Sequence, residues 1–199
     1  MRFAVSFLIL IAFSSSTDAQ NYRARLKKYR TEYITRHEVV PDSSRNYLRF
    51  FPVKKTYRVI ASFEKINGST WFNLPTSSGR TKAYRKYGRI QFKIRGKVQE
   101  LFLYQAQALL ENPVHWDLLF LPFTDASSGV DSYAGGRYLD LKIADIKNQK
   151  VEIDFNKAYN PYCAYVEGKY SCPIPPKENQ LAVAIRAGEK DFDRLHANK

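Results

Sequence analysis

The chain has 199 residues, a formal net charge of +13 and an aromatic content of 15%, with 14 tyrosines. This length fits one domain and is enough to bury a substantial core, and the absence of repeats and low-complexity segments excludes a repeat protein or a disordered chain. The charge favours anionic partners but does not bear on the fold. The aromatic content is typical of β-structure.

The first 19 residues, MRFAVSFLILIAFSSSTDA, have the pattern of a secretory signal peptide. Arg2 supplies the positive start, residues 3–13 the apolar stretch and residues 17–19 a small-residue exit, so we expect cleavage before Gln20. The apolar stretch is shorter than the ~20 residues that a membrane span needs. The sequence therefore predicts an exported protein, periplasmic or secreted, without a membrane span. An exported chain seldom meets nucleic acid, so nucleic acid is not an expected partner.

An amphipathic helix and a linker are predicted over residues 20–39. Tyr22, Leu26, Tyr29 and Tyr33 recur at helical spacing and form one stripe, with lysines and arginines around it. We expect this stripe to pack on the rest of the protein. Binding of the basic side to a membrane surface is the alternative.

Residues 40–199 are predicted to form a single β-rich domain. Strands alternate in polarity over 57–63 and 90–94, followed by the turn signals Asn67-Gly68 and Gly96-Lys97, each of which predicts a hairpin. The close spacing of the strands predicts a mainly β fold, an antiparallel β-barrel or folded sandwich with an N-terminal helix. Further strands are expected at 118–123, 151–155 and 181–185, with an apolar stretch at 138–146.

Residues 80–98 carry eight lysines or arginines and no acidic residue. The basic side of this strand, with Tyr84 and Tyr87 nearby, has the composition of an anion platform. The alternative is that these charges are simply the solvated side of a strand.

The two cysteines of the chain, Cys163 and Cys172, are predicted to form a disulfide because the protein is predicted to be exported. They lie in the segment 154–190, which also contains four of the nine prolines. Proline lacks a backbone donor and has a fixed φ, so this segment cannot be one regular helix or a central strand. Rigid, irregular, polar segments of this kind often carry functional residues.

Two long motifs, FLPFTDASSGVDSYAGGRYLDL and DFNKAYNPYCAYVEGKYSCPIPPKENQLAVAIRAGEK, resemble the signature blocks of the bacterial family of unknown function numbered 1684. The stretch YLRFFPVKKTYRVIASFE is similar to the N-terminal block of that family. The resemblance covers most of the chain, from about Val40 to Lys190. Ser127 and Ser132 stand where the family pattern has threonine. The resemblance implies no activity, because the family has no established one.

A ligand-binding cleft is predicted where the two signature blocks meet, with Cys163 beside it. The glycines and serines of 125–136 can form turns whose backbone amides converge on an anion, and Arg137 can bind a carboxylate or phosphate through two hydrogen bonds. The alternative is that Arg137 holds a neighbouring loop through Asp140 or Asp154. The predicted ligand-binding residues are Asp125, Tyr133, Arg137, Asn160 and Glu178.

Known catalytic signatures are missing from the sequence. It contains no phosphate-binding P-loop, dinucleotide fingerprint or serine-hydrolase elbow, and a cysteine–histidine pair is unsupported. Two cysteines without a nearby histidine are too few to bind zinc, so neither a metal nor a cofactor is expected. Asp125 or Glu178 is the candidate general acid or base, although no spacing brings two carboxylates together.

These features favour a non-enzymatic module that binds a small or polymeric anionic ligand at the cell envelope. In this interpretation Arg137 holds the anion, Asn160 and Tyr133 orient it, and the basic strand 89–95 attracts it. Two alternatives stay open: a carboxylate-dependent hydrolase of cell-envelope material and a purely structural envelope protein. A catalytic carboxylate is expected to have a raised pKa, and one paired with Arg137 a lowered pKa.

Overall fold

The computed structural model describes the backbone of residues 11–193 and the side chains of residues 20–193. The first ten positions of the predicted signal peptide lie outside the described residues, and its cleavage stays a prediction. One α-helix, α1 (Ile11–Thr35), precedes a β-rich domain. Within residues 11–193, no helix combines the length and the hydropathy that crossing a bilayer requires.

Eight strands form one curled sheet, a half-barrel, in the order β6-β5-β4-β3-β1-β7, with β2 beside β3 and β8 beside β5. Every pair is antiparallel except β5 with β8. The predicted fold class, mainly β with an N-terminal helix, is confirmed. The strands are β1 (Arg58–Lys65), β2 (Phe72–Pro75), β3 (Thr81–Ile94), β4 (Lys97–Ala106), β5 (Leu118–Asp125), β6 (Arg137–Lys142), β7 (Lys150–Asp154) and β8 (Gln180–Leu181).

The tyrosine stripe of α1 packs on the domain, as its spacing predicts. Tyr22 and Leu26 are 5% and 2% exposed, and the Tyr22 hydroxyl donates to the carboxylate of Asp154 at 2.9 Å. One turn further along, Arg30 donates to the backbone oxygen of Phe51 at 2.9 Å. The helix is therefore attached through polar as well as apolar contacts.

The β3–β4 hairpin forms at the predicted turn. Arg95 and Gly96 both have positive φ, 51° and 76°, which is the backbone that a two-residue hairpin turn needs to match the twist of its strands. Lys93 then lies opposite Val98, and the pairing continues to Tyr84 opposite Ala106 with one bulge on the way.

The hairpin predicted at Asn67-Gly68 is wrong. β1 and β2, on either side of this turn, do not pair with each other, and both pair with β3 instead. β3 has 14 residues, enough to hold β2 along its first part and β1 along its second. The turn therefore carries the chain along one edge of β3 rather than reversing it into a hairpin.

The main core fills the concave face of the half-barrel. Side chains of four strands, Ile90, Leu101, Leu121 and Ile153, are at most 1% exposed there. Strands alternate their side chains between two faces, so part of the opposite face also carries apolar residues. A second cluster buries Leu74, Tyr84 and Tyr104 on that side.

The last predicted strand is shorter than expected: of 181–185, only Leu181 belongs to β8. The backbone of Ile185 is hydrogen-bonded to side chains instead of to a strand. Its N–H donates to Asp125 at 3.0 Å, and its oxygen accepts from Arg137 at 2.7 Å. These two side chains supply the hydrogen bonds that a neighbouring strand would otherwise make with Ile185.

Candidate functional site

Arg137 lies at the start of β6 and is 0% exposed. One terminal nitrogen, Nη2, donates to Asp125 Oδ2 at 2.8 Å and to the oxygen of Ile185 at 2.7 Å. The other, Nη1, donates to the oxygen of Glu189 at 3.0 Å and to that of Ala187. The guanidinium thus ties the C-terminal segment to the sheet. Its acidic partner is Asp125. The sequence had suggested Asp140 or Asp154 as the partner, and Arg137 pairs with neither.

Asp125 holds the loop between β5 and β6 closed. Its Oδ1 accepts hydrogen bonds from the backbone N–H and the hydroxyl of Ser127, at 2.7 and 2.6 Å. The Ser127 hydroxyl lies 3.0 Å from that of Ser132, and both serines are 1% exposed. The sequence suggested that backbone N–H groups of this loop converge on an anion, but those of residues 127–132 donate to oxygen atoms of the loop itself.

Glu189 is a buried carboxylate that accepts hydrogen bonds from three residues. At 1% exposure it accepts from the hydroxyls of Tyr33 and Tyr165 and from the backbone N–H of Asn160. Burial raises the pKa of Glu189 to about 7, and these hydrogen bonds oppose the rise. The amide of Asn160 donates to the oxygen of Lys190 at 2.7 Å, so Asn160 binds the backbone of its own protein.

Glu178 lies on the other face of the sheet from Arg137, in contact with Lys86 at 2.9 Å and with the hydroxyl of Tyr104 at 3.1 Å. Burial acts to raise its pKa, but the bonds to Lys86, to a backbone amide and to Tyr104 together hold the pKa below its usual value. Glu178 therefore has the lowered pKa of an ion-paired group, not the raised pKa of a general acid.

Asn179, next to Glu178, is a structural residue that the sequence did not reveal. It is 0% exposed and exchanges hydrogen bonds with the backbone N–H and oxygen of Phe102, at 2.8 and 2.9 Å. It also donates to the oxygen of Pro122 at 2.7 Å. β4 and β5 pair at only one position, and the amide of Asn179 bridges them where they separate.

Both signature blocks contribute to the lining of a cleft of about 800 Å³, which we call the signature cleft. The predicted disulfide between Cys163 and Cys172 is present, with a Cα–Cα distance of 6.3 Å, and Cys163 lines the cleft. Of the five predicted ligand-binding residues, Tyr133 alone lines it among the described residues. The residues that line the cleft are Arg49, Ser77, Gly129, Tyr133, Ala134, Cys163, Ala164, Glu167, Gly168, Tyr170, Asp191, Phe192 and Asp193.

The charges of the signature cleft do not suit an anion. Its lining has three carboxylates, Glu167, Asp191 and Asp193, against one guanidinium, that of Arg49. Arg49 itself lies 3.7 Å from Asp193. Among residues 20–193, the cationic groups suited to an anion lie elsewhere.

A cluster of cations and aromatic rings lies at one end of the concave face. We call it the rim cluster and define it by Lys65, Trp71, Arg85 and Tyr87. The Lys65 ammonium lies 2.8 Å from the centre of the Tyr87 ring, and the Arg85 guanidinium lies 4.8 Å from that of Trp71. Arg85 also donates two hydrogen bonds to the neutral Gln105, at 3.0 and 2.6 Å.

Strand alternation brings the rim cluster together. In β1, Ala61 and Phe63 face the core, so Lys65, two residues further on, extends the same face to the end of the strand. Tyr87 packs against Phe63, with ring centres 6.2 Å apart. Burial, and after it the charge of Arg85, lower the pKa of Lys65. Among residues 20–193, no carboxylate forms an ion pair with Lys65 or Arg85.

The basic strand singled out from sequence is partly neutralised. Arg89 forms ion pairs with Glu64 at 2.5 Å and with Glu100 at 3.3 Å. Tyr84 is 7% exposed and belongs to the second core cluster, whereas Tyr87 belongs to the rim cluster. Arg85 belongs to the basic run 80–98 that the sequence analysis singled out. Lys65 and Trp71 lie outside that run, and no local sequence pattern predicts that they are close to Arg85.

The family model described as "Protein of unknown function (DUF1684)" matches residues 45–190. The chain belongs to this family. The match covers the basic strand and both signature blocks, and so confirms the resemblance seen in the motifs. No curated protein matches the chain at a significant level. The chain is similar to the solution NMR structure of an uncharacterised protein from Haloarcula marismortui. The TM-score is 0.64 and the identity 29%, over 87% of this chain and 96% of that one.

Proposed function

We propose that this member of the DUF1684 family is an exported, non-enzymatic module that binds an anionic ligand, a small molecule or a polymer of the cell envelope, at the rim cluster. The observation that carries the proposal is the pair Lys65 and Arg85, two neighbouring cations without a carboxylate partner in residues 20–193. Two like charges repel each other, and an anion between them removes that repulsion.

The aromatic rings of the rim cluster support the same assignment. Trp71 is 36% exposed and Tyr87 is partly buried, so each offers ring surface beside a cation. Proteins that bind single-stranded nucleic acid, a flexible polyanion, combine a basic surface with exposed aromatic rings, and the rim cluster has the same two components. The predicted residues Asp125, Arg137 and Asn160 then act on the fold rather than on the ligand.

The hydrolase alternative gains no support from the placement of its candidate residues. Asp125 is ion-paired with Arg137, and its side chain is 1% exposed. The pKa of Glu178 is lowered by Lys86 and its other hydrogen-bond donors, against the effect of burial. A purely structural role is the second candidate, because the signature residues Arg137, Asn160 and Glu189 bind one another's segments.

Calorimetric titration tests the proposal, with dextran sulfate as a polymeric probe and inorganic phosphate as a small one. The double variant Lys65→Gln/Arg85→Gln is expected to bind at least about tenfold more weakly than the wild-type protein, since it loses two charge-assisted contacts. Added salt is expected to weaken binding by the wild-type protein.

The matched control is Lys147→Gln/Lys150→Gln, which removes the same charge from two exposed lysines outside the rim cluster. It is expected to bind nearly as well as the wild-type protein. Equal weakening in the two double variants would point to net charge alone and contradict the rim site. Failure of the folded wild-type protein to bind either probe would contradict the proposed function.

A further inference from the structure

A second cleft lies between the C-terminal half of α1 and the edge strand β6, and we call it the tyrosine cleft. Its volume is about 450 Å³, inside the range of about 300–1,000 Å³ that small-molecule sites occupy. It is separate from the rim cluster and shares no residue with the signature cleft. The lining residues are Tyr29, Glu32, Tyr33, Arg36, His37, Glu38, Asp140, Tyr159 and Tyr162.

Aromatic rings form much of the lining. Tyr29 and Tyr33 lie one helical turn apart on α1 and stack with ring centres 6.5 Å apart. Across the cleft, Tyr159 and Tyr162 come from the second signature block, and Tyr162 is 37% exposed. Exposed or half-exposed rings facing one cleft offer flat apolar surface to a ligand.

Two carboxylates of the cleft each accept a hydrogen bond from a tyrosine through one oxygen atom. The Tyr159 hydroxyl donates to Asp140 Oδ2 at 2.6 Å, and the Tyr162 hydroxyl donates to Glu38 Oε2 at 2.7 Å. Within residues 20–193, the second oxygens of Asp140 and Glu38 accept no hydrogen bond. The tyrosines therefore orient the carboxylates and leave two acceptors for a ligand.

His37 adds a buried donor that lacks an acceptor among residues 20–193. The side chain is 6% exposed, and its Nδ1 accepts from the backbone N–H groups of Val40 at 3.0 Å and Val39 at 3.3 Å. Because Nδ1 is an acceptor, the ring proton lies on Nε2. Nε2 has no hydrogen-bond partner within residues 20–193.

The neutral state of His37 is secured by its surroundings. Burial, and after it the charge of Arg45, lower the pKa of His37 to about 4, while Glu38 opposes them. The ring of Tyr165 lies edge-to-face with it at 4.6 Å between centres. An oxygen atom of a ligand in the cleft would give the Nε2–H group the acceptor that residues 20–193 do not provide.

A ligand that fits must offer hydroxyls that both donate and accept, together with an apolar face. A sugar ring has these properties: its hydroxyls donate to Asp140 and Glu38 and accept from His37, and its C–H face packs on tyrosine rings. An organic cation would satisfy the carboxylates but would leave the His37 donor unmatched and face the Arg36 guanidinium. From this geometry we infer that the tyrosine cleft binds a neutral pyranose unit of a carbohydrate.

Saturation-transfer NMR with the whole protein tests the inference, using maltotriose, cellotriose and triacetylchitotriose as probes and tetramethylammonium as the cationic alternative. At least one oligosaccharide is expected to receive magnetisation from the protein. Asp140→Asn and Tyr162→Ala are each expected to weaken its binding by about tenfold. Tyr162→Phe keeps the ring but loses the hydroxyl that orients Glu38, and it is expected to weaken binding less than Tyr162→Ala does.

Glu111→Gln, which removes an exposed carboxylate outside the cleft, is the charge control and is expected to bind like the wild-type protein. Because Asp140→Asn keeps the shape of the side chain, it gives a result even if Tyr162→Ala fails to fold. Transfer that is the same in Asp140→Asn and wild type would overturn the inference. So would transfer to tetramethylammonium alone, or to none of the probes.

Discussion

The hydroxyl of Tyr33 donates a hydrogen bond of 3.1 Å to the carboxylate of Glu189, across 156 positions of the chain. Tyr33 lies on the N-terminal helix, and Glu189 is the penultimate residue of the second signature block. The same carboxylate accepts from Tyr165 and from the backbone of Asn160. One buried glutamate therefore joins the helix to the irregular C-terminal segment. This structural role accounts for the carboxylate of Glu189 in the second signature block.

The first prediction concerns the pH dependence of stability. Burial raises the pKa of Glu189 from 4.5 to about 7, so the folded protein binds this proton more tightly than the unfolded chain does. The resulting stabilisation is complete below the unfolded pKa and is lost as the pH rises through about 7. Relative to Glu189→Gln, the wild-type protein is expected to lose at most about 3 kcal/mol across this range.

Urea denaturation of both proteins from about pH 4 to about pH 8 measures this difference. Glu111→Gln, which changes an exposed glutamate, serves as the control and is expected to follow the wild-type curve. A wild-type curve parallel to that of Glu189→Gln would show that folding does not shift the pKa of Glu189.

The second prediction concerns Arg137. Arg137→Met is expected to destabilise the protein by about 3–5 kcal/mol, because it leaves Asp125 as an uncompensated buried charge and three carbonyl groups without their donor. Arg186→Met removes an exposed guanidinium paired with Asp131 at 2.9 Å and is expected to cost less than about 1 kcal/mol. Similar urea midpoints for the two variants would contradict the structural role of Arg137.

The third prediction concerns the disulfide. Replacing Cys163 and Cys172 by serine is expected to cost ~2.7 kcal/mol, the chain-entropy value for closing a loop of about ten residues. The wild-type protein should then lose the same stability when a reductant is added, whereas the serine variant should not respond. If the wild-type protein has the same denaturation midpoint with and without reductant, a stabilising disulfide is excluded.

The fourth prediction concerns Asn179. Asn179→Ala is expected to cost about 3 kcal/mol, since three hydrogen bonds worth about 1 kcal/mol each disappear. Gln180→Ala, at the exposed neighbouring position, is the control. Hydrogen exchange provides a local measurement: the amide of Phe102, which donates to Asn179 at 2.8 Å, should exchange faster in Asn179→Ala alone.

Local patterns predicted the elements of this fold well. The stripe Tyr22, Leu26, Tyr29 and Tyr33 predicted the docked helix, and the alternation over 90–94 followed by Gly96 predicted the β3–β4 hairpin. Both signals depend on residues close in sequence, where spacing alone determines which face a side chain occupies. The turn at Asn67-Gly68 shows the limit, because a turn sequence does not specify which strand the chain pairs with afterwards.

The candidate site was predicted less completely. The sequence analysis named Arg137 and Asp125 as ligand-binding residues. In the structure the two side chains form one buried ion pair. The sequence did not indicate that Asp125 and Arg137 bind the backbone of Ile185. These hydrogen bonds replace the strand pairing that was expected there. Lys65 and Trp71, which the rim cluster needs, were not singled out at all. Each lies on a different strand or loop from Arg85, so their proximity depends on strand register.

Composition, motifs and local periodicity were enough to predict the family, the mainly β class with its N-terminal helix, and the two cysteines available for a bridge. Which polar residues are buried together, and which are accessible to a ligand, became visible only in the folded protein. Burial and charge pairing depend on contacts between residues far apart in the chain, and strand pairing sets those contacts. For that reason Arg137 became part of the fold, while Lys65 and Arg85 became the candidate anion site.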